Sequence, residues 1–338
     1  MIGRAIGQPV TITGLGTYVP DRVFSNDDLS EFVDTSDEWV RTRTGIRERR
    51  ISAENEVTSD LALLAAREAL EDAGARPADI DLVVIGTISP DMGFPATATI
   101  VADALGCGAA AAYDVSAGCT GFMYAIAQGH SAVAAGLARR ALVIGADVLS
   151  KILDWSDRST LVLFGDGAGA VVLEPAEEAG FLSFELGADG AGGPQLNYPG
   201  SGTVPLADGE KHFLQMNGRE VFKFATRVLV SSAERALEAA GLTVDDVDLY
   251  VPHQANVRII DHAVRRLGFP EKKVVVNVDR YGNTSSGSIP LGLADALADG
   301  RLQPGHVVLM TGMGAGLTWG SAVIRWTHST NKRAKEKE

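Results

Sequence analysis

The chain has 338 residues, 46% of them hydrophobic, and carries a formal net charge of −13 with a pI near 4.9. That is enough apolar material for one large layered domain or two domains, and the acidic balance excludes general attraction to nucleic acid or to an anionic membrane surface. No stretch reaches the roughly 18 apolar residues of a membrane span, and the opening MIGRAIGQPVTITGLG lacks a secretory apolar core.

Two cysteines twelve positions apart make no disulfide framework, so a cytoplasmic protein with free thiols is expected. A metal centre is not expected, because there is no CxxC pair and no histidine pair at ligand spacing beside an acid.

Strands are predicted over 9–16, 80–86, 141–147, 169–174, 247–253, 273–278 and 306–312. Amphipathic or apolar helical runs cover 58–73, 119–135, 219–240, 256–267 and 287–298. The alternation of the two periodicities predicts an α/β layered fold. Within it lies an internal repeat: REALEDAGARPADIDLVVIG (67–86) aligns without gaps on ERALEAAGLTVDDVDLYVPH (234–253), with nine of twenty positions identical. RRALVIGAD (139–147) has a counterpart in PGHVVLMTG (304–312) at nearly the same offset, so the chain reads as two related halves. The halves are placed at 1–176 and 177–327, with a polar tail over 328–338.

In a duplicated α/β fold, sites form where the ends of equivalent strands converge. Three residues stand at such strand-to-helix transitions: Cys119 in AGCTGF, His253 at the end of VDLYVPH, and Asn283 in YGNTSSGS. A helix N-terminus is expected to lower the Cys119 pKa and aim N–H groups at an oxyanion, with Gly118 and Gly121 permitting a sharp turn. A buried inert thiol is the alternative, as it is for Cys107. His253 could activate a thiol or stabilise negative charge, or simply cap the next helix; Asn283 fits a second donor or an ordinary turn.

DTSDEWVRTRTGIRERR (34–50), AGCTGF (117–122), FGDGAGA (164–170), VPHQANVRII (251–260), YGNTSSGSIP (281–290) and GMGAGLTWGS (312–321) together resemble the 3-oxoacyl-acyl-carrier-protein synthase III family. These are condensing enzymes of the thiolase-like superfamily that initiate type II fatty acid synthesis. The resemblance spans nearly the whole chain with its motifs in order. It implies a duplicated thiolase-like fold, layered α-β-α-β-α, with two mixed sheets and a buried central helix pair.

It also implies a decarboxylative Claisen condensation: an acyl-CoA starter loads Cys119 as a thioester, and malonyl-ACP supplies the enolate that displaces it to give 3-oxoacyl-ACP. His253 and Asn283 would promote the decarboxylation, with the amides of Cys119 and Ala315 as oxyanion donors and no redox or metal cofactor. By the same resemblance Trp39, Arg43, Arg158, Asn256, Phe222 and Gly218 would contact CoA and its pantetheine arm. Phe94, Met216 and Met313 would line the acyl pocket, Phe94 across a homodimer interface. Lys223, Arg258, Arg265 and Arg266 would dock the acidic carrier protein.

Two positions depart from the family pattern: Met313 stands where many relatives have phenylalanine, and Ala315 replaces a glycine. They leave open a specialised starter, or a relative that primes a polyketide pathway. A Cys-His-Asn acyltransferase or thioesterase on the same scaffold is a further alternative. A nucleotide-binding dehydrogenase is disfavoured, since GLGTYVP and GDGAGA do not complete GxGxxG in the required context. The intact Cys, His and Asn argue against a silent binding subunit.

Overall fold

The computed structural model describes residues 2–4 and 7–328. Its main strands are β1 (Ile2–Arg4), β2 (Val10–Tyr18), β3 (Leu82–Gly86), β4 (Ala111–Val115), β5 (Ala141–Asp147), β6 (Gly167–Pro175), β7 (Phe181–Ala188), β8 (Leu249–Pro252), β9 (Val307–Gly314) and β10 (Thr318–Arg325). The helices that matter below are α1 (Asp37–Thr44), α2 (Thr58–Ala73), α3 (Thr97–Leu105), α4 (Gly121–Ala134), α5 (Gly218–Ala240), α6 (Val257–Leu267) and α7 (Ser288–Ala298).

One five-stranded mixed sheet has the order β2-β6-β5-β3-β4, the other β1-β7-β10-β9-β8. Each couples parallel pairs, such as β3 with β5 and β8 with β9, to antiparallel ones. Both sheets hold only strands of their own half, except that β1 leaves the first half to pair with β7.

The layering follows from which faces are apolar. Helix α4 (GFMYAIAQGHSAVA) is apolar on nearly every side, as a helix enclosed by protein must be. It packs with α7 in one cluster that takes Val84, Val143 and Val171 from the first sheet and Val251, Val308 and Ile324 from the second. The opposite face of the first sheet is covered by α2 and α3 through Leu61, Ala65, Ala69 and Val101. The opposite face of the second is covered by α5 and α6 through Ala233, Leu237, Ile260 and Val264. The result is a five-layered thiolase-like α-β-α-β-α stack with α4 and α7 as its buried centre.

The repeat seen in the sequence is a repeat of caps and bonds. Gly74 and Gly241 both end their helices in the left-handed conformation, with φ of 62° and 72°. Asp79 and Asp246 each return a carboxylate to the amide three residues back, closing a one-turn helix before the strand. Asp81 and Asp248 each tie the start of their strand to its neighbour, the first through the Arg139 and Arg140 amides and the second through the Val307 amide. The identities are thus the residues that shape the helix-to-strand joint.

Two sequence expectations are corrected. The run 273–278 is not a ladder strand: only Val274 bridges to Tyr250. The Gln254 side chain takes over the backbone partners that a neighbouring strand would supply, donating to the Val275 carbonyl at 3.0 Å and accepting from the Asn277 amide at 3.0 Å. The described chain also runs past the expected start of the tail. His328 is buried, and its Nε2 lies 2.6 Å from the Asp72 carboxylate, which also accepts from the Leu15 amide. The rest of the tail, 329–338, lies outside the described residues. Strands β7 and β10 were not among the predicted elements.

Candidate active site

Cys119 sits in the turn that delivers β4 to α4, one residue before the Thr120 cap. Its neighbour Gly118 has φ +59°, and a Cβ there would lie 2.4 Å from the Ala315 amide nitrogen. On the facing segment, a Cβ on Gly314 would lie 2.3 Å from the Cys119 amide nitrogen. The end of β9 and the cysteine turn therefore run backbone against backbone, which only glycine permits at these two points. This brings the Cys119 and Ala315 amides together. Ala315 itself needs no special backbone: among the described non-glycine residues only Ser285 has positive φ, at 50°.

The thiol is buried, and desolvation pushes its pKa up to about 12; hydrogen bonds from Ser285 and Asn283 pull it down, while the charge of Asp147 adds to the rise. Burial thus acts against the acidification expected of a helix N-terminus, and with a pKa near 12 the resting sulfur holds its proton. Asn283 is placed by main-chain bonds to Leu163 and Gly165, its amide donating to the Leu163 carbonyl at 2.8 Å. Its Oδ1 accepts from the Ser285 amide at 2.9 Å, so the turn role and the approach to the thiol coexist.

His253 follows β8 and its amide donates to the Thr311 carbonyl of β9 at 2.7 Å, a few residues before the Gly314 contact with Cys119. Burial pushes its imidazole down to about 4, so the ring is neutral at pH 7. Nδ1 lies 2.6 Å from Ser288 Oγ at the start of α7, and Nε2 is buried with no hydrogen-bond partner. Ser285 and Ser288 were not singled out from the sequence, although both lie in the quoted NTSSGS run.

A cavity of about 290 Å³ opens beside the thiol, lined by Cys119, Ile88, Phe164, Leu196, Leu214 and Ala315 among others. Ile88, Ser116, Tyr198 and Ser201 also line a second, adjoining cavity, at whose rim Phe94 is 87% exposed. Met216 packs from the short strand that pairs with Leu196, close to Gly218. Met313 is not among the residues lining the described cavities; it is buried with Phe224, Val228 and Ile259 under α5 and α6.

Trp39 packs in the same apolar cluster as Leu196 and Leu214. The Arg43 and Arg158 guanidinium groups each stand 4.7 Å from its ring centre. Asn256 caps α6 and donates to the Arg43 carbonyl at 3.3 Å, joining this cluster to α6. Phe222 lies under Arg258, 5.5 Å from the guanidinium. Arg258, Arg265 and Arg266 on α6 and Lys223 on α5 are exposed. Arg219 and Arg227, one helical turn either side of Lys223, are exposed as well, a spacing that the sequence displayed but that was not read as part of the patch.

Comparison with known proteins places this geometry. Residues 113–190 and 237–326 match the models of 3-oxoacyl-[acyl-carrier-protein] synthase III and of its C-terminal portion. The beta-ketoacyl-[acyl-carrier-protein] synthase III of Symbiobacterium thermophilum is 55% identical, the alignment covering 94% of this chain and 98% of that protein. The Geobacillus kaustophilus protein of the same name is 50% identical over 93% and 98%. Among solved structures, the Thermus thermophilus synthase III superposes with a TM-score of 0.90 at 52% identity, covering 94% of this chain and 99% of that one. The priming beta-ketosynthase of the R1128 polyketide pathway gives 0.90 at 38%, covering 96% and 98%. The chain belongs to the 3-oxoacyl-[acyl-carrier-protein] synthase III family, and it is a condensing acyltransferase of fatty acid synthesis.

Proposed function

We propose that Cys119 carries the starter acyl group and that His253 and Asn283 stabilise the enolate formed from malonyl-ACP. The carrying observation is the turn at Cys119, where a thiol on the wall of an apolar cavity has the Asn283 side chain bonded to it and the Ala315 backbone packed against its turn. The resting thiol is protonated, so loading is a concerted exchange: sulfur attacks the CoA thioester while its proton passes toward the leaving CoA sulfur. The Cys119 and Ala315 amides are suited to the oxyanion of that step.

For the second half-reaction a neutral, buried imidazole is a donor and not a source of positive charge. Ser288 Oγ accepts from the Gln254 amide at 3.4 Å and shares one hydrogen with His253 Nδ1 at 2.6 Å. With Ser288 as the donor to Nδ1, the ring proton would sit on the unpartnered Nε2, the tautomer that an enolate-stabilising role for His253 requires. Asn283 supplies a second donor whose charge does not change with pH. Loss of CO2 drives carbon–carbon bond formation, and the protein groups suffice without an added cofactor.

Trp39, flanked by Arg43 and Arg158, suits an adenine ring and its phosphates, and Asn256, Phe222 and Gly218 are assigned to the pantetheine arm. The exposed cations on α5 and α6, with Arg219 and Arg227 added, suit an acidic carrier protein against a chain of net charge −13. A homodimer is supported by β4, an edge strand with Tyr113 exposed, and by Phe94 at the rim of the second cavity. Among the described residues no helix is long and apolar enough to cross a membrane, which accords with a cytoplasmic enzyme. The 38% likeness to a polyketide priming enzyme keeps that pathway as the second reading.

The test is mass spectrometry after exposure to a panel of acyl-CoAs. One starter should add its acyl mass at Cys119 and nothing should add to Cys119→Ala; equal labelling of the two proteins refutes the assignment.

A further inference from the structure

Asp147 ends β5 and is fully buried, yet no positive side chain is among its partners. Its Oδ1 accepts from Thr87 Oγ1 at 2.9 Å, Ser89 Oγ at 2.9 Å, and the Ile88 and Ser89 amides at 2.8 and 3.1 Å. Its Oδ2 accepts from the Ser286 amide at 3.2 Å. The Ser89 hydroxyl is oriented for this by accepting from the Val148 amide at 2.9 Å. Every partner is a donor, the arrangement an ionised carboxylate satisfies.

The donors come from the two segments that build the site. Thr87–Ser89 carries Ile88, a wall of both cavities, and Ser286 stands between Ser285 and the start of α7, where Ser288 meets His253. Glycines hold the joint tight: a Cβ on Gly145 would lie 2.2 Å from the Ser286 carbonyl oxygen, and one on Gly121 would lie 2.5 Å from Ser286 Oγ. The Cys119 thiol meets the uncharged side chains of Ser285 and Asn283 and its own backbone, and Asp147 is the charged group that acts on it. The β9–β10 turn contributes Ala315, Gly316 and Thr318 to the cavity wall, and the other walls contribute Ile88, Phe164, Leu196 and Tyr198, whose phenol is the one titratable group there besides the thiol.

We infer that Asp147 is a positioning residue whose carboxylate clamps the Thr87–Ser89 wall to the Ser286 turn and whose negative charge sets Cys119 against anionic electrophiles. This rests on Cys119 being the acyl carrier. The clamp is electrostatic as well as geometric: a buried charge held by five neutral donors is only partly neutralised, and its field reaches the neighbouring sulfur.

The test compares alkylation of Cys119 by neutral iodoacetamide and by anionic iodoacetate near pH 8, with the site located by peptide mass. A merely loosened site changes both rates together, whereas a lost negative charge favours the anion. Asp147→Asn should raise the iodoacetamide rate about tenfold and the iodoacetate-to-iodoacetamide ratio by a further factor of about three or more. Thr87→Val strips one hydroxyl donor from the carboxylate and leaves four, so its ratio should not rise above that of the unaltered protein.

This second variant decides the matter if Asp147→Asn does not fold. An unchanged ratio in Asp147→Asn, or a raised one in Thr87→Val, overturns the inference. Failure of acyl-CoA to label a Cys119 that iodoacetamide does label would instead defeat the acyl-carrier reading and leave the ratio result standing.

Discussion

Acidification should destabilise this protein through two histidines, by an amount that the structure lets one work out. Burial pushes both His253 and His130 down to about 4, from an ordinary value near 6.5. His130 stands on α4 between Phe181 and Phe184, with ring centres 5.0 and 5.1 Å away. Between those two pKa values the unfolded chain binds protons that the folded chain refuses, so stability is whole above about pH 6.5, falls as the pH drops toward 4, and is flat below. From near pH 7.5 to near pH 5 each histidine costs about 2 kcal/mol, so the pair costs about 4 kcal/mol out of a typical 5–15 kcal/mol. Asp166, raised by its own burial, works in the opposite direction and is common to any pair of variants.

Urea unfolding followed by circular dichroism at the two pH values measures the loss directly. His130→Leu is the informative variant, because it lies away from the thiol cavity and its packing cost is the same at both pH values. Its acid-induced loss should be about 2 kcal/mol smaller than that of the unaltered protein. If His130→Leu loses as much stability on acidification as the parent, the reasoning from burial is wrong.

Gly118→Ala should cripple the site, because it forces an L residue to φ +59° and sets a methyl 2.4 Å from the Ala315 nitrogen. We expect a loss of at least about 1–2 kcal/mol in thermal or urea unfolding, with acyl loading slowed more than tenfold as the two amides separate. Arg265→Glu with Arg266→Glu should raise the KM for malonyl-ACP about tenfold and leave that for acyl-CoA unchanged, and added salt should narrow the difference. An equal change in both KM values would place these arginines outside the docking surface.

The parts of this protein legible in its sequence are those decided by neighbours along the chain. The apolar run after Cys119 specifies a buried helix whatever surrounds it, and the shared Gly74/Gly241 and Asp81/Asp248 positions write the helix-to-strand joint twice. What escaped was decided across the chain. The Cys119 pKa is set by how deeply three layers bury the sulfur, and a helix N-terminus in the sequence carries no information on that depth. Asp147 was visible only as the last residue of a strand, since its five donors come from Thr87–Ser89 and Ser286. Met313 was placed by motif, whereas the alternation along β9 sends it with Leu309 toward the α5–α6 side.

The failure of 273–278 to form a strand explains how one repeat came to hold the half of the site that the other lacks. In the first half, β4 pairs with β3 over five residues and stays an edge, continuing straight to the Cys119 turn. Its counterpart in the second half is stopped at Val274, because Gln254 satisfies the Val275 carbonyl and the Asn277 and Val278 amides from the side. Freed from the ladder, the chain forms a short turn of helix at Val278–Tyr281 and doubles back to bond Leu163 and Gly165 of the other half. Only that return carries Asn283 to the sulfur. A side chain that ends a strand early is thus what converts two copies of one fold into a single site: were Gln254 unable to bridge, the added ladder would draw Asn283 along the sheet and away from Cys119.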